Sequence, residues 1–109
     1  MATIHKENKV VTLINVFTVR PEDQDRLADL LAKVTEETMC KLPGFISASF
    51  HKSTDGLRVV NYAQWESREA WQAIFTHPEA KKHIEETQKI GVADFHLYEV
   101  TSTHEPAHV

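Results

Sequence analysis

HKSTDGLRVVNYAQWESREAW, residues 51–71, holds a turn, a strand and the start of a helix. Asp55-Gly56 supplies the positive φ angles of a two-residue hairpin loop, so Thr54 is expected to pair with Leu57. The ladder then continues with Phe50 opposite Asn61, Ala48 opposite Ala63 and Ile46 opposite Trp65. The first strand of this hairpin spans 45–53 and the second 57–66. Side chains alternate between the faces of a strand, so Leu57, Val59, Asn61, Ala63 and Trp65 share one face. Four of them suit burial. The fifth is an amide, and an amide buried without partners costs about 2–7 kcal/mol. Ser67 then caps a short helix whose apolar positions are Ala70, Trp71, Ile74 and Phe75.

Upstream, VVTLINVFTV at 10–19 is β-branched and apolar on both faces, the pattern of a strand covered on both sides. Val11, Leu13, Asn15, Phe17 and Val19 share a face, again with one asparagine among apolar residues. Pro21 and the acidic Glu22, Asp23 and Asp25 open a helix. Its stripe is Leu27, Leu30, Leu31 and Val34, and Pro43-Gly44 ends it. Downstream, His77-Pro78 breaks the short helix, and a mostly charged helical stretch runs from Glu79 to about Ile90. Gly91 ends that stretch before a last strand, VADFHLYEVT, at 92–101. The polar ends, 1–9 and 102–109, are expected to be flexible, leaving one domain at 10–101.

The order β-α-β-β-α-β is the ferredoxin-like arrangement, an α+β fold with a four-stranded antiparallel sheet and both helices on one face. The other face carries Ile14, Val16, Val60 and Tyr62. A patch of that kind marks an interface, and a homodimer joined sheet to sheet is expected, forming a dimeric α/β barrel.

A chain of 109 residues with 41% hydrophobic and 26% charged residues is one globular domain. Its net charge of −4, without a basic run, argues against nucleic acid as a partner. No apolar run approaches the roughly 18 residues of a membrane span, and the N-terminus lacks the apolar core of a signal peptide. A cytoplasmic protein is expected. The single cysteine, Cys40, excludes an internal disulfide. The seven histidines offer no two-histidine, one-carboxylate set at a usable spacing, so no metal site is expected.

Asn15 and Asn61 can be explained in two ways. Each amide can tie down a loop or helix end, as buried polar groups commonly do. Alternatively, the space between sheet and helices is a pocket where apolar walls hold a flat ligand and a few amides orient it. The small pair Ala48 and Ala63 leaves room for such a pocket, and Trp65 and Trp71 are placed to line it.

The block from His51 to Trp71, with His-x-Ser-Thr-Asp-Gly followed by Val-Val-Asn-Tyr-Ala-Gln-Trp-Glu-Ser, resembles the antibiotic biosynthesis monooxygenase family. It is most similar to the small quinone-forming monooxygenases of aromatic polyketide pathways of the actinorhodin type. The resemblance implies a dimeric α/β barrel that needs no metal, flavin or haem. It implies an electron-rich phenol, anthrone or quinol as substrate, with O2 as co-substrate. The substrate anion gives an electron to O2, the radicals recombine, and loss of water leaves a quinone. Asn61 and Trp65 match the family's polar and indole donors and are the expected catalytic residues. Asn15, Phe50, His51, Trp71 and His83 are the expected substrate-binding residues.

His51 matches a pocket histidine of the family. The hairpin register sends it to the face opposite Asn61 unless a bulge intervenes. The polyketide enzymes offer an arginine from the second helical stretch. Here that region reads Glu79-Ala80-Lys81-Lys82-His83-Ile84, with Lys82 and His83 the candidates to stand in. Two alternatives stay open. One is a haem-degrading monooxygenase of the same fold, whose asparagine and haem-ligating histidine fall near Asn15 and His83, while its tryptophan position holds Ile74. The other is a non-catalytic protein that binds small aromatics.

Overall fold

The computed structural model of the chain describes residues 3–4 and 9–107. Four strands, β1 (Val11–Thr18), β2 (Phe45–Lys52), β3 (Arg58–Trp65) and β4 (Val92–Tyr98), form one antiparallel sheet in the order β2-β3-β1-β4. Helices α1 (Gln24–Glu37), α2 (Arg68–Gln72) and α3 (Pro78–Gln88) complete the ferredoxin-like fold. Of the ends expected to be flexible, residues 1–2, 5–8 and 108–109 lie outside the described residues. No helix among the described residues is long and apolar enough to cross a membrane.

The helix-facing side of the sheet holds the core in two clusters. Phe17, Val19 and Val59 pack with Leu27 and Leu31 of α1. Leu13, Ala63 and Trp65 pack with Ile74 and Ala80 from the second helical region. The side chains alternate as the sequence pattern requires, so burying one face fixes the strand register.

Helix α1 stops at Glu37, earlier than the expected stop at Pro43-Gly44, and a 3-10 turn at Met39–Lys41 follows. Thr38 leaves the helical region at φ −128°, although its N–H still reaches Val34 O at 2.9 Å. Ser67 caps α2, its hydroxyl accepting from the Ala70 N–H at 3.0 Å. A 3-10 turn, Ala73–Phe75, joins α2 towards α3. His77 has a fixed place: its Nδ1 accepts from the Ala80 N–H at 3.2 Å and caps α3.

The hairpin keeps the expected register at Phe50–Asn61 and Ala48–Ala63. Its loop is wider than the expected Thr54–Leu57 closure. The last cross-strand backbone bond of the ladder runs from the Ser53 N–H to Arg58 O at 3.0 Å; beyond it the Gly56 N–H donates to Ser53 O at 3.1 Å, and side chains complete the tip. Ser53 Oγ accepts from the Arg58 N–H at 2.9 Å, and Asp55 accepts from the Leu57 N–H at 3.0 Å. The Ser53 hydroxyl, followed by the Leu57 N–H, holds the Asp55 carboxyl below the usual carboxylate range. Gly56, at φ 82°, supplies the left-handed conformation the turn requires. Leu57 belongs to this loop and is exposed, so it does not extend the buried face of β3.

At the other end of the hairpin a register shift lies between Phe45 and Ser47. Phe45 therefore faces Trp65, where Ile46 was expected, and meets its ring edge-on at 5.4 Å. Ile46 is turned out to solvent, 42% exposed. The cause lies just upstream: Gly44, at φ 85°, turns the chain sharply into β2, and its carbonyl accepts from the Glu66 N–H at 2.8 Å.

The second face of the sheet is open at its centre, where Ile14, Val16, Val60 and Tyr62 are half-buried. At one end it is closed: Thr12, Gln64 and Ser47 are buried, and the Gln64 side-chain amide donates to Thr3 O at 2.9 Å.

Candidate active site

A cavity of about 90 Å³ lies between the sheet and the helices. Its floor is one row of residues across all four strands. The cross-strand pairs Phe50–Asn61, Asn61–Asn15 and Asn15–Phe95 place two adjacent amides between two phenyl rings. The next row, with Ala48, Ala63 and Leu13, is shallow because two of its members are alanines. Trp65 follows along β3, and α1 adds Leu31, Val34 and Thr35. The second helical region adds Trp71, Ile74, Phe75 and His83.

The polar atoms of this cavity set it apart from the rest of the core. Among the described residues six buried side-chain polar atoms lack a hydrogen-bond partner, and four belong to residues lining it. They are Asn15 Oδ1, Asn61 Oδ1, Trp65 Nε1 and His83 Nδ1. Native proteins leave few such atoms, because each one buried costs about 1–3 kcal/mol. Neither asparagine oxygen ties down a loop or a helix end. The indole N–H can only donate, whereas an amide both donates and accepts. The set therefore suits a ligand carrying several oxygen atoms on an apolar ring system.

One side of the cavity is an aromatic group that reaches the surface. Trp71 meets Phe75 edge-on at 5.2 Å, and Phe75 stacks on Phe95 at 6.1 Å. Phe75 and Phe95 are each 36% exposed. Strand β4 drew no attention in the sequence as a source of site residues. Once β4 is paired with β1, alternation sends Ala93 and Phe95 to the helix side.

The structure thus gathers Asn15, Phe50, Asn61, Trp65, Trp71 and His83 around one space. It does not bring His51 there. His51 sits opposite Val60 on the open face, exposed, with its Nε2 3.1 Å from Ser49 Oγ. The bulge that would turn it inward is absent at that position; the register shift of β2 lies at Ile46 instead. Tyr62 also faces away, paired with Ile14 on the open side. Lys82, a candidate to replace the arginine of the polyketide enzymes, is exposed, whereas His83 on the neighbouring position is turned inward.

The His83 side chain is 17% exposed and sits between two carboxylates of its own helix. Glu79 Oε1 is 3.8 Å from Nε2 and Glu86 Oε1 is 3.7 Å from Nδ1, both beyond hydrogen-bond reach. No group of three or more histidine, cysteine or acidic residues that could hold a metal ion is found among the described residues. Cys40 lies away from the cavity, exposed, its thiol donating to Glu36 O at 3.3 Å.

The sequence model of the antibiotic biosynthesis monooxygenase family matches residues 10–86, which include most of the cavity's lining. The chain belongs to this family. Membership makes it an oxidoreductase of the monooxygenase type. It is 44% identical over 91 residues to tetracenomycin-F1 monooxygenase of Streptomyces glaucescens, covering 84% of this chain and 81% of that one. Among solved structures it matches the monooxygenase from the ActVA-Orf6 gene of Streptomyces coelicolor, in complex with nanaomycin D. That match has a TM-score of 0.79 at 31% identity, over 89% of this chain and 92% of the other. SnoaB, a cofactor-independent oxygenase from Streptomyces nogalater, shares the fold with a TM-score of 0.73 at 22% identity, over 86% and 95% of the two chains.

Proposed function

We propose that this monooxygenase oxidises an electron-rich aromatic, a phenol, anthrone or quinol, to a quinone with O2 and without a cofactor. The observation that carries it is the cluster of unpartnered polar atoms in a mostly apolar cavity. Such a site holds a flat ring by its apolar walls and presents donors where negative charge develops. The likeness to tetracenomycin-F1 monooxygenase and to a monooxygenase solved with nanaomycin D supports an aromatic substrate. The description of SnoaB as cofactor-independent supports chemistry by O2 alone.

In this reading Asn61 and Trp65 do the chemistry. The Asn61 amide accepts from a phenolic O–H before deprotonation and, turned over, donates to the oxyanion afterwards. The Trp65 N–H stabilises the anion or the reduced oxygen species. Asn15, Phe50 and Trp71 hold the ring system in place. A space of about 90 Å³ is small beside the roughly 300–1,000 Å³ of usual ligand sites. A multi-ring substrate therefore enters by parting Phe75 and Phe95 from Trp71 at the exposed side. The half-buried apolar centre of the open face supports a homodimer formed through that face, in which His51 lies between subunits.

The test is O2 uptake by metal-stripped protein with a panel of anthrones and hydroquinones, Asn61→Ala run beside wild type. Uptake that survives chelation and drops in the variant is expected. Uptake no faster than the autoxidation of the substrates themselves would overturn the proposal. Sedimentation of the protein as a monomer at micromolar concentration would remove the dimer.

A further inference from the structure

We infer that His83 is the group that takes the substrate's proton. The inference rests on the oxidation proposed above, which must begin by removing one. Among the described residues lining the cavity, His83 is the only one whose side chain ionises. Those contributed by α1, β1, β3 and β4 are apolar, amide, hydroxyl or indole. Amides and indoles do not accept protons near neutral pH. An imidazole does, and it is the side chain best matched to proton transfer in that range. The arrangement around the ring also suits the task. Its nitrogens are uncommitted, with Nδ1 buried and unpartnered, and a carboxylate lies 3.7–3.8 Å from each nitrogen. Glu79 and Glu86 are the only acidic residues with a carboxylate oxygen within 4 Å of a ring nitrogen among the described residues, and both come from α3. They stabilise the imidazolium as it forms, and they are exposed enough to pass the proton on to solvent.

For an anthrone the steps balance as follows. His83 removes one C–H proton, leaving a carbanion delocalised into the phenolate. One electron passes from it to O2, and the resulting radical and superoxide combine into a C–O bond, giving a peroxide anion. The imidazolium returns its proton to that peroxide. Removal of the second C–H proton by the neutral imidazole then breaks the O–O bond. Hydroxide departs, takes the proton as water, and leaves the quinone carbonyl. The CH2 group and one O2 become C=O and H2O, with no outside reductant.

The experiment measures kcat and KM for O2 uptake against pH for wild type, His83→Gln and His83→Ala, the last also with added imidazole. Binding of a quinone product, followed by its absorbance, reports whether the variants keep the site. Wild-type kcat is expected to fall on the acid side with a single protonation. In His83→Gln kcat should fall by about 10²–10⁴-fold, with KM and quinone binding within about threefold, and the acid limb should vanish. Imidazole should restore part of the His83→Ala rate. A variant that keeps both its rate and its acid limb would overturn the assignment. So would a wild-type profile with no acid limb, a measurement that needs no variant to fold. Absence of turnover by wild type with every aromatic tried would instead sink the oxidation itself.

Discussion

Asn61→Leu should make the protein more stable and nearly inactive. Asn61 Oδ1 is buried without a partner on a sheet face otherwise made of Val59, Ala63 and Trp65. Leaving such an acceptor unsatisfied costs about 1–3 kcal/mol, and replacing it with an apolar group of similar shape recovers that cost. Leucine keeps the branching of asparagine and adds apolar surface, worth about 25 cal/mol for each Å² taken from water. Overpacking, which costs about 1–3 kcal/mol in a filled core, is relieved by the adjoining cavity of about 90 Å³. The net gain should be at least about 1 kcal/mol, or about 4 °C in Tm for a domain of this size. Thermal unfolding by circular dichroism, at one protein concentration because association also shifts Tm, reads this directly. In the same preparations kcat should fall by about 10²–10³-fold, the usual effect of removing one donor from an oxyanion site. Asn15→Leu, which removes the neighbouring unpartnered oxygen, should stabilise in the same way. A Tm lowered by 4 °C or more in Asn61→Leu would refute the reasoning, because it would mean that the amide holds the fold together.

Trp65→Phe should keep the edge-on packing against Phe45 while removing the unpartnered indole N–H. O2 uptake should fall at least tenfold while urea unfolding changes by no more than about 2 kcal/mol, the smaller ring leaving a partial cavity. Gly44→Ala should destabilise by about 2 kcal/mol or more in the same unfolding assay: a side chain at φ 85° is strained, and its Cβ would overlap Ala70 Cβ. Asp55→Asn should lower Tm at pH 7. Because folding depresses the Asp55 carboxyl, its contribution is present above the unfolded value of about 3.9 and is lost as pH falls through the lower folded one. The Tm difference from wild type should therefore begin to narrow below about pH 4 and close once pH is below the folded value as well, and a difference that does not narrow over that range would count against the charge.

The β2–β3 register was legible because loop width and register are separate properties. Closing the loop at Ser53–Arg58 places Phe50 opposite Asn61 just as closing it at Thr54–Leu57 would. The extra width comes from Ser53 and Asp55, whose side chains take the amide bonds that a tighter turn would make through its backbone. The shift at Ile46 was not legible, since it follows from the approach of Gly44 to α2, a tertiary contact. Asn15 and Asn61 stood out as exceptions on alternating faces, and alternation is a strong signal in strands. Trp71 was legible from its place on the helix that follows β3, whereas His83 came from the resemblance alone. Helix α3 is largely charged and its inward face is thin, built on Ala80, Ile84 and Thr87; His83 falls on that face at helical spacing, a signal the few apolar residues made easy to pass over.

This difference in legibility follows the way the site is built. The amides and two of its aromatic rings are set by hydrogen-bonded ladders, where moving one residue to the same face requires a slip of two along the whole strand. Phe50, Asn61, Asn15 and Phe95 therefore form a rigid floor, and rigid elements hold reacting groups most accurately. The part of the opposite wall that carries Trp71 and His83 comes from short helical pieces: α2, a 3-10 turn and α3. There a one-residue change turns a different side chain inward, as the contrast between exposed Lys82 and cavity-lining His83 illustrates. A fold arranged in this way can keep its charge-stabilising floor while exchanging the group that handles the proton. Transplanting an arginine to position 83 should then preserve quinone binding at the floor but remove the acid limb of the rate. If instead quinone binding is lost with the imidazole, the two walls are not separable and this division of labour is wrong.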